Sequence, residues 1–258
     1  MNPTPSFAIP PDAVRVWRGF RGPTIDIEQF FVRLNTVFVP ATVEMQVNVG
    51  LDGYIPTVPD GLEGKPDAVP DETAILFWDS QQTYENGFNT LAVRTYTLTH
   101  GDVYTAGSRA DFPVPFAGTV VAGQPYYLVP QPADWMKGQV QHLVGGRPGG
   151  QAPEQFLADL ATALTAIQSR GGLAGAIACA ADDYLVYWEL ASGASEGGSE
   201  SIASLAKLTG WNHIATAQPT TLDKGLWDPW PGMNIASGDS LNMQFKRRWE
   251  NNNEGEIA

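Results

Sequence analysis

The segment Thr99–Tyr104 brings together side chains that can move a proton. His100 is followed by the carboxylate of Asp102 and the phenol of Tyr104. A neutral imidazole is a general base near pH 7, and a neighbouring carboxylate can hold it in the required orientation. The competing interpretation is structural, because a histidine in the last turn of a helix interacts favourably with the helix dipole and Gly101 can end that helix.

The other histidines and the single cysteine offer less chemistry. His142 and His213 lie too far from each other and from His100 for a local metal-binding motif, so we predict no metal site and no tightly bound cofactor. The alternative is a haem group with His213, or else His142, as its axial ligand. His142 follows a predicted loop and is expected to be exposed to solvent. Cys179 lies in an apolar stretch and is expected to be a small buried thiol.

The first predicted strand carries an arginine and a tryptophan on one of its faces. Arg15 and Trp17 alternate with Val14 and Val16. If the valine face packs against helices, Arg15 and Trp17 face the space between two sheets. A buried arginine there requires an anionic partner or ligand. Arg247, on the apolar side of the last predicted strand, is a second candidate for ligand binding.

Two segments are candidate contact surfaces. Trp227 and Trp230 stand between prolines in a predicted loop, where they can present a rigid apolar surface or fold back onto the protein. Residues 51–73 carry several prolines, glycines and acids and are predicted to form a long exposed loop.

The elements that must position these residues are visible as hydrophobic patterns. The first half is predicted to contain a strand at 14–20, a helix with an apolar face from Ile27 to Phe38, a strand at 74–78 and a strand at 124–130. Asp79 or Ser80 caps a long helix between the last two strands. Its predicted apolar face consists of Tyr84, Phe88, Leu91, Ala92 and Thr95, and Gly87 within it indicates a close backbone approach.

The second half is also predicted to mix strands and helices. A helix begins at Pro153 and ends at Gly171, a hairpin joins 176–180 to 184–190, a helix covers about 199–208, and a last strand covers 241–248. The glycine-rich segment 144–153 predicts the boundary between a first half, 1–145, and a second, divergent half, 146–249. Residues 191–200 are predicted to be a flexible connection and 250–258 a disordered tail.

With a possible further strand between the first helix and the strand at 74–78, the first half has the order strand–helix–strand–strand–helix–strand, which is that of a ferredoxin-like unit. Residues 14–130 resemble the dimeric α+β barrel superfamily through VRVWRGF, the Ile27–Phe38 helix, AILFWDSQQTYENGF and QPYYLVP. The resemblance implies two antiparallel sheets that pack as an α+β barrel around a pocket, either within one chain or in a homodimer. That superfamily includes small monooxygenases, lactone isomerases and haem-dependent enzymes, and also proteins that are not enzymes, so the fold does not determine the function.

Composition excludes several classes of function. The formal net charge of −13 over 258 residues disfavours nucleic acids and anionic membranes as partners. One cysteine excludes an internal disulfide, and no P-loop, GxGxxG, GxSxG, HExxH or EF-hand motif is present. No signal peptide or apolar span is visible, which favours the cytoplasm.

These observations predict a soluble protein that binds a small apolar or aromatic molecule in a pocket between sheets. It could be an enzyme that carries out proton-transfer or oxidative chemistry without a cofactor. The alternative is a non-enzymatic ligand-binding or protein-interaction protein that uses the 51–73 and Trp227–Trp230 segments.

Overall fold

The computed structural model describes residues 8–39, 41–42, 49–58, 64–135, 138–192 and 199–217. Within these residues the chain forms ten strands and five α-helices. The strands are β1 Val14–Gly19, β2 Leu51–Thr57, β3 Glu72–Trp78, β4 Arg109–Asp111, β5 Val114–Pro115, β6 Pro125–Tyr127, β7 Val140–Gly146, β8 Leu173–Ala180, β9 Tyr184–Ala191 and β10 Trp211–Ala217. The helices are α1 Ile27–Arg33, α2 Gln81–Phe88, α3 Leu91–Leu98, α4 Pro153–Arg170 and α5 Glu200–Ala206.

The strands form two sheets, and four strands of each sheet follow the same order, which β6 and β5 extend in the second sheet. The first sheet runs β2-β3-β1-β4 and the second β10-β7-β9-β8-β6-β5. In each, the first and third strands of a strand–helix–strand–strand–helix–strand unit pair antiparallel at the centre. The predicted α+β class with two ferredoxin-like halves is therefore confirmed. Within the described residues the two sheets share no strand pairing, so the barrel is open.

The two sheets pack face to face, and each carries its helices on the outer side. Apolar side chains of both sheets form one buried cluster between them: Val14, Val16, Ile75 and Phe77 from the first sheet, and Val144, Ile177, Cys179, Val186 and Trp188 from the second. A second cluster joins the first sheet to α1 and α3, and a third joins the second sheet to α4 and α5. Cys179 is fully buried, as predicted.

The predicted long helix after β3 is two helices. Ser80, one of the two predicted caps, accepts a hydrogen bond from the Thr83 amide and starts α2. Thr90 caps α3 in the same way, which breaks the helical phase. The predicted apolar face is wrong beyond this break, because Leu91 is 81% exposed while Val93 and Tyr96 are buried.

Residues 51–57 of the predicted exposed loop are instead the buried strand β2. Asp52, Gly53 and Pro56 gave the segment its loop-like composition. β2 is an edge strand, where a proline without an N–H is tolerated. The register shift next to Gly53 is a β-bulge, which accommodates the glycine. This part of the segment is not available as a contact surface.

The chain passes from the first sheet to the second between β4 and β5. The predicted boundary at 145/146 therefore falls within β7, after β5 and β6 of the same second sheet. β6, predicted as the last strand of the first half, pairs with β8 of the second sheet. The short strand β4, which the sequence did not predict, takes its place.

The remaining predictions for the second half fall into two groups. The helix that begins at Pro153, the β8–β9 hairpin and α5 are confirmed. The predicted strand 241–248 with Arg247, the Trp227–Trp230 loop, the tail and residues 193–198 lie outside the described residues. In the described part of the chain no helix is long and apolar enough to cross a lipid bilayer.

Candidate functional site

A cavity of about 530 Å³ lies between the first sheet and its own helices. This volume is in the range of small-molecule sites. The side chains that define it are Arg15, Trp17, Phe38, Tyr54, Leu76, Tyr84, Tyr96, His100, Tyr104 and Arg109. The expectation that Arg15 and Trp17 face the space between the sheets is wrong, because Val14 and Val16 fill that space and turn their neighbours toward the helices.

Arg15 brings a positive charge into this aromatic cavity. Its guanidinium carbon lies 4.1 Å from the centre of the Tyr84 ring, and Nη2 donates to the Ala110 carbonyl at 3.2 Å. Burial lowers the pKa of Arg15, but an arginine stays charged at neutral pH. No carboxylate of the described residues forms an ion pair with Arg15. The cation is therefore available to an anionic group of a ligand.

Asp111, the acidic residue of β4, already forms ion pairs with two other arginines. Asp111 Oδ2 accepts from Arg18 Nη2 at 2.6 Å and from Arg109 Nε at 2.8 Å. Burial alone would raise the pKa of Asp111, but these two hydrogen bonds lower it below its usual range. Asp111 thus stays ionised and holds Arg109 at the cavity.

His100 presents a neutral imidazole to the cavity. Its Nδ1 lies 3.0 Å from the Thr97 carbonyl oxygen, so Nδ1 carries the hydrogen and Nε2 the lone pair. Burial lowers the pKa of His100, which keeps the ring neutral at pH 7. Phe38 and Tyr96 contact the ring edge to face, with centroids at 4.8 and 5.1 Å. The Thr97 carbonyl thus orients the imidazole, whereas Asp102, the predicted orienting group, is exposed and outside the cavity lining.

Glu72 lies behind the cavity wall with no exposed surface. Its Oε2 accepts from Trp17 Nε1 at 3.0 Å and from the Tyr104 hydroxyl, and its Oε1 accepts from the Tyr54 hydroxyl at 3.2 Å. All three donors line the cavity, whereas Glu72 does not. Burial raises the pKa of Glu72 to about 7, although these hydrogen bonds act in the opposite direction.

The register of the sheet separates the two polar ends of the cavity. Arg15 pairs with Leu76, and Gly19 pairs with Glu72. Four residues of extended strand span ~13 Å. Trp17 lies between the two ends on the same face. Arg15 therefore lies at one end of the aromatic cavity, and the Glu72 cluster, which is Glu72 with its hydrogen-bond donors, lies at the other.

Several of these residues were not singled out in the sequence. Glu72 was assigned to the acidic loop, Tyr54 lies in the unpredicted strand β2, and Tyr96 lies on the helix whose phase was misjudged. The sequence carried one signal for Glu72. Positions 72, 74, 76 and 78 share one face of a strand, so Glu72 lies on the same face as the buried Trp78.

The other histidines lie away from the cavity. The expectation that His142 is exposed to solvent is wrong, because His142 is buried in β7. Its Nε2 lies 2.9 Å from the Thr73 hydroxyl and its Nδ1 2.9 Å from the Tyr187 carbonyl, so neither nitrogen can ligate a haem iron. His213 lies on β10 opposite Val144, and its haem-ligand role stays a prediction. Within the described residues no cluster of His, Cys, Asp and Glu could hold a metal ion.

No family model matches the chain, and no curated protein matches it. Among solved structures it is similar to a protein from Lactobacillus acidophilus NCFM provisionally named a monooxygenase, with 10% identity, a TM-score of 0.35 and coverage of 79% of this chain and 91% of that one. A protein of the same provisional name from Fusobacterium nucleatum shares 9% identity with a TM-score of 0.34, over 82% of this chain and 93% of that one. An anthrone oxidase-like protein shares 10% identity with a TM-score of 0.35, over the same fractions. These similarities are too low to assign an activity, and the fold assignment rests on the strand order of the chain itself.

Proposed function

We propose that this protein binds a small aromatic molecule with a carbonyl or anionic oxygen in the cavity of the first sheet, and removes a proton from it without a cofactor. The observation that carries the proposal is that one aromatic cavity presents a neutral imidazole and a guanidinium that has no carboxylate partner among the described residues. His100 supplies the base and Arg15 the cation.

The walls support an aromatic ligand. Trp17, Phe38, Tyr84, Tyr96 and Tyr104 are all lining residues. Aromatic rings pack well in offset or edge-to-face contacts, as these rings do with one another. A flat apolar molecule with one polar end therefore matches both the walls and the Arg15 cation.

The chemistry follows from the two polar groups. The proton moves from a C–H group beside the ligand carbonyl to His100 Nε2. The electron pair of that bond forms the C=C bond of the enolate, and the π pair of the carbonyl moves onto its oxygen. Arg15 stabilises the enolate oxygen that results. General-base catalysis of this kind contributes about 10²–10⁴-fold to a rate.

Binding is tested with 2-naphthoate, a fluorescent aromatic anion. We expect Arg15→Met to weaken binding about tenfold to a hundredfold, because a hydrogen bond to a charged group contributes about 1.5–3 kcal/mol. The matched control is Arg94→Met, which removes an exposed arginine of α3 that does not line the cavity. Equal affinities for the two variants would contradict the assignment of Arg15.

Proton abstraction is tested with 2-tetralone, an aromatic ketone with acidic C–H groups, by following deuterium uptake by NMR. We expect the wild-type protein to accelerate uptake and His100→Gln to lose the acceleration, with an unchanged melting temperature. His213→Gln, which changes a histidine outside the cavity, serves as the control. If 2-naphthoate binds but wild-type protein and His100→Gln exchange deuterium at the same rate, the cavity is a binding site without this activity.

A further inference from the structure

The hydrogen bonds of Glu72 determine which ligands the inner end of the cavity can select, and they take no part in the proposed proton transfer. Tyr104 lines the cavity, and its hydroxyl hydrogen points to Glu72 behind the wall. A hydroxyl group has one hydrogen and two lone pairs. With its hydrogen committed to Glu72, the Tyr104 oxygen can only accept a hydrogen bond from a ligand.

Trp17 fixes this polarity. An indole N–H only donates, so Glu72 Oε2 must accept from Trp17 Nε1. When Glu72 is protonated, the hydrogen therefore belongs on Oε1, where it can donate to Tyr54. Oε2 remains an acceptor for Tyr104 in both states of the acid, so the polarity of the Tyr104 hydroxyl does not depend on the charge of Glu72.

We propose that Glu72 is a positioning residue that makes the inner end of the cavity selective for ligands with a hydrogen-bond donor, such as a hydroxyl group, by holding Tyr104 as an acceptor. This rests on the proposed function, because it describes the end of the same cavity opposite Arg15. The preferred ligand then carries an anionic or carbonyl oxygen at one end and a hydroxyl group at the other.

The test compares two probes that differ only at the inner end, 6-hydroxy-2-naphthoate and 6-fluoro-2-naphthoate. Fluorine is close in size to a hydroxyl group but cannot donate. We expect the wild-type protein to bind the hydroxyl probe about tenfold more tightly, which is the effect of one hydrogen bond to a buried acceptor. Glu72→Met, which removes the acceptor behind Tyr104, and Tyr104→Phe, which removes the hydroxyl itself, should both abolish this preference.

Two further variants separate selectivity from stability. Glu72→Gln should keep the preference. Trp17 requires an oxygen at the Oε2 position, so the glutamine NH₂ group faces Tyr54 and the oxygen still accepts from Tyr104. Glu189→Met should also keep it. Glu189 is a buried carboxylate that accepts from Tyr187 at 2.8 Å in the second sheet, outside the cavity. A preference that survives in Glu72→Met or in Tyr104→Phe, or that is absent from wild-type protein that binds both probes, overturns the proposal.

A measurement without a ligand covers the case in which neither probe binds and the proposed function fails. The ¹³Cζ resonance of Tyr104 responds to the hydrogen bond of its hydroxyl group. We expect this resonance to shift in Glu72→Met but to stay near the wild-type position in Glu72→Gln and Glu189→Met. An unchanged resonance in Glu72→Met would show that Glu72 does not hold Tyr104, whatever the ligand.

Discussion

Replacement of Glu72 by glutamine should change how the stability of the protein depends on pH. In the folded protein burial raises the pKa of Glu72 from its ordinary value of 4.5 to about 7. The folded state therefore binds the proton more tightly than the unfolded state between these two values. The contribution of Glu72 to stability is therefore greatest below pH 4.5 and is lost as pH rises from 4.5 to 7, because the ionised carboxylate is costly to bury.

The difference in pKa gives the size of the effect. Each pKa unit corresponds to about 1.36 kcal/mol, so ionised Glu72 costs ~3 kcal/mol above pH 7. Glutamine has the same shape and no charge. We expect Glu72→Gln to come within about 1 kcal/mol of the wild-type stability near pH 5 and to exceed it by up to ~3 kcal/mol at pH 9.

Urea denaturation at intervals between pH 5 and pH 9 measures this difference directly, with equal m-values as the check that both proteins unfold alike. Glu189→Gln, measured in parallel, separates an effect local to Glu72 from a general response to the loss of a buried carboxylate. A free-energy difference between wild type and Glu72→Gln that does not change with pH would refute the reasoning.

Three other predictions concern the scaffold. Gly87→Ala should destabilise the protein by about 1–3 kcal/mol despite the better helix propensity of alanine, because the added Cβ would lie 2.9 Å from Val49 Cβ. The control is Gly101→Ala, whose added Cβ meets no atom within 4 Å and which should change the melting temperature little. Burial lowers the pKa of His142 to about 3, so the contribution of this residue to stability should fall by about 1.4 kcal/mol for each pH unit between 6.5 and about 3. Acid denaturation of wild type and His142→Phe should show this as a stability difference that grows as the pH falls. Ser80→Ala should reduce the free energy of unfolding by about 1 kcal/mol through the loss of the α2 cap; an unchanged urea midpoint would contradict the assignment of Ser80 as that cap.

The sequence predicted those parts of the fold in which local patterns and packing agree. β3 is a short apolar run, α4 has a regular apolar face between a proline and two glycines, and the β8–β9 hairpin is bounded by a turn. Each of these elements carries its own start and stop signals. Their order was enough to indicate two ferredoxin-like halves.

The errors arose where tertiary contacts override local composition. β2 carries Gly53 and Pro56, and only its position at the sheet edge makes it a strand. The direction of Arg15 depended on which face of β1 meets the second sheet, and alternation alone does not distinguish the two faces. Glu72 joins the site through hydrogen bonds to residues distant in sequence, which no local pattern encodes.

The most direct test of the central claim is a crystal structure of the protein with 2-naphthoate. The account predicts the ring system in the cavity between the first sheet and its helices, with the carboxylate within hydrogen-bonding distance of the Arg15 guanidinium and the rings against Trp17. A ligand bound elsewhere, or a ligand in this cavity with its carboxylate turned away from Arg15, would contradict it.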